Sequence, residues 1–102
     1  MTSPQKETGP SNSSRASKEC TVINKLGIHA RPAALFVKVA NKFESDITVE
    51  KDGEAVNGKS IMGLMMLAAG HNSKLRITAD GHDAAQAVRE IEQLFLQKFN
   101  ED

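Results

Sequence analysis

The sequence predicts an α+β domain, a four-stranded antiparallel sheet with three helices on one face, in the order βαββαβα. Two observations predict it. Four short stretches alternate apolar and polar residues, which suits strands with one wet face and hence an antiparallel sheet. Between and after them lie three apolar stretches with helical spacing or helical boundary residues.

Taken in order, residues 1–19 hold five serines and two prolines and no apolar anchor, so they are expected to form a disordered tail, with the domain running over 20–102. Cys20, Val22 and Asn24 alternate with Thr21 and Ile23, a weak first strand ending at Leu26-Gly27. After a loop carrying His29, Pro32 sits where a helix tolerates proline, in its first turn, and Ala33, Phe36, Val37 and Ala40 follow at helical spacing. Ile47 and Val49 mark the second strand, Asp52-Gly53 a hairpin turn, and Ala55 and Val56 a short return strand. Ser60 opens an apolar stretch from Ile61 to Ala69 that closes at Gly70, with serine as N-cap and glycine past the last turn. Leu75, Ile77 and Ala79 make the fourth strand. Ala84, Ala87, Val88, Ile91, Leu94, Phe95 and Phe99 make the last and most amphipathic helix.

Composition narrows the function. The 102 residues fit one modest domain. Thirteen basic residues balance thirteen acidic ones, so no bulk field attracts nucleic acid or an anionic membrane. With no tryptophan or tyrosine, stacking platforms for single strands are also scarce. The one cysteine, Cys20, excludes an intrachain disulfide and fits a reducing compartment. No stretch reads as a signal peptide or a membrane span, so a cytoplasmic protein is expected.

Three motifs bear on chemistry. Gly53 to Ser60 satisfies the phosphate-loop pattern G-x-x-x-x-G-K-[ST], which would suggest a small nucleotide-binding protein. The pattern needs a strand before the first glycine and a loop around a phosphate, whereas here Gly53 belongs to a hairpin turn and the intervening residues to a strand. The match is therefore discounted, and failure to bind ATP would remove it. His29, in Gly27-Ile-His-Ala-Arg-Pro-Ala33, stands at a helix start, where unpaired amides and partial positive charge hold anions. A ring nitrogen there can act as nucleophile, and Arg31 adds a forked cation suited to phosphoryl oxygens. A lone histidine is more often a capping or surface residue. His71 and His82 fall in turns without ligand spacing, so no metal site is expected. In the stretch from Ser60 to Leu67, a cap and a core explain the serine and the apolar residues, but so apolar a helix leaves methionines facing outward as an adaptable docking surface.

These residues together resemble the HPr family, the histidine phosphocarriers of the phosphoenolpyruvate-dependent phosphotransferase system. The matches are Gly-Ile-His-Ala-Arg-Pro-Ala over 27–33 and Val-Asn-Gly-Lys-Ser-Ile-Met-Gly over 56–63, and Ser60 follows His29 by the 31 residues that separate the family's active and regulatory sites. The resemblance covers Cys20 to about Phe99 and implies the family's open-faced sandwich of four antiparallel strands and three helices. It further implies a monomeric phosphoryl carrier rather than a self-sufficient enzyme, with no cofactor. His29 would take a phosphoryl group on Nδ1 from phosphorylated Enzyme I and pass it to an EIIA-type domain, with Arg31 and the amides at Ala30 and Arg31 steadying it. Ser60 matches the serine that an HPr kinase/phosphorylase modifies in some bacteria. Ala30, Lys38, Ile61, Met62 and Met65 match the partner-docking patch. A nitrogen-related or purely regulatory branch, without sugar transport, is the alternative.

Overall fold

The computed structural model describes residues 14–101. The elements are β1 (Arg15–Thr21), α1 (Ala30–Ala40), β2 (Asp46–Lys51), β3 (Glu54–Asn57), α2 (Ile61–Met66), β4 (Lys74–Asp80) and α3 (Ala84–Leu96), followed by a 3₁₀ turn over Lys98–Asn100. All neighbouring strands pair antiparallel in the order β1-β4-β2-β3. The α+β architecture with three helices is the one the sequence predicts.

Period-two alternation sets the two faces of the sheet. Ile47, Val49, Leu75, Ile77, Ala79 and Cys20 turn inward and are buried, while Glu50, paired with Arg76, stays on the wet face. Above the inner face, α1 buries Pro32, Ala33, Phe36 and Ala40, and α3 buries Ala84, Ala87, Val88, Ile91, Leu94 and Phe95. Phe36 and Phe95 meet edge to face at the centre, ring centroids 6.3 Å apart. The β2–β3 hairpin turns on Asp52 (φ 53°) and Gly53 (φ 86°), both left-handed as a two-residue turn of this hand demands.

Three expectations are corrected. Of the tail expected over 1–19, residues 1–13 lie outside the described residues, and Arg15 to Glu19 belong to β1. This strand is mostly exposed and polar, so it has no apolar alternation to read. It forms because each residue from Arg15 to Thr21 has a partner on β4, with Glu19 opposite Arg76 and Ser17 sharing a 3.2 Å hydroxyl hydrogen bond with Thr78. The second correction shortens α2, which ends at Met66 rather than Ala69. Ala68 turns left-handed (φ 51°), so that Leu67 and Ala69 on either side are both buried. The third concerns Phe99, which is buried but lies beyond α3. The helix stops at Leu96, and Lys98, Phe99 and Asn100 all take positive φ (55°, 53° and 61°), a hook that folds Phe99 back onto Phe95 at 4.9 Å. Three successive left-handed residues without a glycine are strained, each by about 1–2 kcal/mol. Burial of the Phe99 ring holds them in place.

Candidate functional site

The loop between β1 and α1 is fixed at both ends. The Gly27 amide donates to the Asn24 carbonyl at 3.2 Å, and the Asn24 side-chain amide donates back to the Gly27 carbonyl at 2.8 Å. Next along the chain, the Ile28 amide donates to the Ala69 carbonyl at 2.8 Å, which ties the loop to the turn after α2. Gly27 itself has φ +72°, and a Cβ there would collide with the Ala69 carbonyl and with Gly70, so no other residue fits. Val22 and Asn24 continue the inward phase of Cys20 although the ladder has ended, and both are buried.

His29 is thereby delivered as the N-cap of α1, with extended backbone (φ −86°, ψ −166°) and no side-chain capping bond. Its ring is therefore free of the helix. It is half-exposed, at 39%, and its Nε2 lies 2.9 Å from Glu101 Oε2. An ionised carboxylate has no hydrogen to give, so Nε2 is the donor and carries the proton. In the neutral ring this leaves Nδ1 with the lone pair. Beside His29, the amides of Ala30 and Arg31 precede any intrahelical acceptor, and Pro32 has no N–H. Arg31 is exposed and lines an open groove of about 760 Å³ together with Lys25, Leu26, Leu35 and Glu101.

The matches to known proteins fall on this loop and this sheet. The model of the family described as "PTS HPr component phosphorylation site" matches residues 16–97. The chain belongs to the HPr family. It is 46% identical over 84 residues to the phosphocarrier protein HPr of Xylella fastidiosa, covering 82% of this chain and 94% of that one. It is 50% identical over 74 residues to the HPr-like protein Crh of Halalkalibacterium halodurans, covering 72% of this chain and 88% of that one. Among solved structures, the crystal structure of HPr-C-His from Thermoanaerobacter tengcongensis superposes with a TM-score of 0.82 at 44% identity, over 85% of this chain and 98% of that one. Membership makes it a phosphocarrier-type protein of the phosphotransferase system.

The other candidate residues of this HPr-family chain fall in two places. Ser60 is the N-cap of α2, its Oγ accepting from the Gly63 amide at 3.0 Å. Just beyond it Ile61, Met62 and Met65 are exposed by 41%, 73% and 43%, and Met66 and Leu26 extend the exposed apolar surface. Ala30 and Lys38 are exposed on α1, which packs against α2. The phosphate-loop pattern has no loop to offer: its residues Glu54 to Asn57 are strand β3. His71 is exposed, and exposed His82 pairs with Glu44 at 3.0 Å.

Two residues at the site escape a reading of the sequence. Asn24 is fully buried in the inward phase of an apolar alternation, a signal that marks it as an unusual polar core residue. Glu101 lies 72 positions from His29, at the end of a hook that no periodicity announces.

Proposed function

We propose that this chain accepts a phosphoryl group on Nδ1 of His29 from phosphorylated Enzyme I and hands it to an EIIA-type domain. The observation that carries the reading is the half-exposed imidazole at the start of α1 whose Nε2–H is committed to Glu101, which leaves Nδ1 as the nucleophilic nitrogen. Once transferred, the dianion rests against the amides of Ala30 and Arg31 and the positive end of the helix, and the Arg31 guanidinium adds a movable charge-assisted contact. The clamp is moderate, as onward transfer requires. Ala30, Lys38, Ile61, Met62 and Met65 form the surface that successive partners share, the methionines adapting to each. The protein works as a cytoplasmic monomer.

Ser60 is the point of regulation, modified by an HPr kinase/phosphorylase, because a phosphate there stands beside the exposed Ile61 and Met62. A second reading, a regulatory chain acting through Ser60 alone, is favoured by the similarity to the relative named HPr-like protein Crh. A nitrogen-related branch without sugar transport uses the same His29 chemistry. Incubation with Enzyme I and labelled phosphoenolpyruvate separates the first two readings. The parent should take up label and His29→Ala, folded by its melting curve, should take up none. Equal label in the variant contradicts the carrier reading.

A further inference from the structure

Buried behind His29 is a polar relay that runs from Asn24 through Glu101 to the imidazole. Asn24 is 0% exposed, and its Nδ2 donates both hydrogens, to the Gly27 carbonyl at 2.8 Å and to Glu101 Oε1 at 3.1 Å. Its Oδ1 has no partner, the one such buried side-chain atom among the described residues. That orphan fixes the orientation of the amide. Reversing it would point a carbonyl oxygen at two acceptors and strand both hydrogens, which costs more than one unmet oxygen. Glu101, 14% exposed, is thus gripped on Oε1 while Oε2 takes the imidazole Nε2–H at 2.9 Å. The hook of left-handed residues, anchored by Phe99, brings the carboxylate back to this point.

We propose that Asn24 and Glu101 are positioning residues for phosphoryl transfer at His29, with Asn24 aiming the Glu101 carboxylate and the carboxylate guarding Nε2 and balancing charge on the ring. The inference rests on the reading that His29 is the acceptor. In the transfer, the Nδ1 lone pair forms the N–P bond while the bond from phosphorus to the donor nitrogen breaks, its electron pair staying with that nitrogen. No proton leaves the His29 ring. Nε2 keeps its hydrogen, so the phosphorylated ring carries a positive charge that was absent before, and the Glu101 carboxylate lies against it. The two ring nitrogens face apart, so the carboxylate sits across the ring from the phosphoryl group it would otherwise repel. On the return step the same ring leaves as neutral imidazole, already protonated on the correct nitrogen.

The test uses the full chain and phosphoramidate, a small donor that needs no docking surface and reacts with any open imidazole nitrogen. The position of the phosphoryl group is read by NMR on ring-¹⁵N protein. On the His29 ring the parent should be labelled at Nδ1 alone, while exposed His71 and His82 take label equally in parent and variants. In Glu101→Ala, Nε2-phosphohistidine should appear on His29 and labelling at its Nδ1 should slow by about tenfold, the lower end of what removing the outer partner of a metal-bound imidazole costs. Glu101→Gln has one acceptor oxygen and no charge, so it should keep the Nδ1 selectivity while losing rate. Asn24→Asp keeps the shape but removes both donors, and should follow Glu101→Ala. If it does not fold, the two Glu101 variants decide the matter. Labelling of Glu101→Ala at Nδ1 only and at the parent's rate overturns the positioning role. A parent that Enzyme I and phosphoenolpyruvate fail to label overturns the carrier reading and this inference with it.

Discussion

Ser60 does two things that substitution can separate. Its Oγ caps α2 through the Gly63 amide, and its side chain stands next to exposed Ile61 and Met62. Aspartate caps as well as serine and suits the helix dipole, so Ser60→Asp should melt no earlier than the parent. Alanine leaves the Gly63 amide without its acceptor and should cost about 1 kcal/mol. Transfer should rank the other way. The Asp charge beside the apolar patch opposes desolvation by a partner, so acceptance from Enzyme I slows, whereas Ser60→Ala reacts nearly as the parent does. Melting curves paired with transfer rates check both halves, and equal rates for parent and Asp variant reduce Ser60 to a cap. At this scale the sequence was readable, because a cap, a turn glycine and a histidine before Arg-Pro are local features.

Elements were readable where their pattern is apolar and obscure where partners decide. β2, β4 and α1 declare themselves by periodicity. The polar first half of β1 is a strand only because β4 offers it a full ladder, from Arg15 opposite Asp80 to Thr21 opposite Lys74. The hook after α3 was hidden for a different reason. Phe99 falls in helical phase with Phe95, yet burying its ring matters more than the left-handed strain at Lys98, Phe99 and Asn100. Phe99→Ala should therefore do more than open a cavity. It should cost about 3 kcal/mol in denaturant unfolding and also slow phosphoryl acceptance, because Glu101 loses its tether. Lost stability with transfer unchanged would detach the hook from the site.

For the whole molecule, one carboxylate ties the start of α3 to the segment that enters β2. Asp83 accepts from the amides of Glu44 and Ser45 and from the buried Ser45 hydroxyl. The Ser45 hydroxyl above all, then the Glu44 amide, holds its carboxyl down to about 2 from 3.8. A depressed folded value means the contribution is complete above pH 3.8 and disappears as pH falls through 2. Asp83→Asn should melt below the parent at pH 6, and the gap should close between pH 3.8 and 2. His82 beside it is raised by its hydrogen bond to Glu44, so its favourable part is present at low pH and fades as the ring deprotonates. A gap that persists at pH 2 would mean that the Asp83 carboxylate is not the clamp. The carrier role turns on one nitrogen. Phosphorylation of the ring-¹⁵N protein by Enzyme I and phosphoenolpyruvate, followed by NMR of the product, reads it directly. The spectrum should show a phosphorus–nitrogen coupling at Nδ1 of His29 that vanishes when an EIIA-type domain is added. A phosphoryl group on Nε2, on another residue, or on none would contradict it.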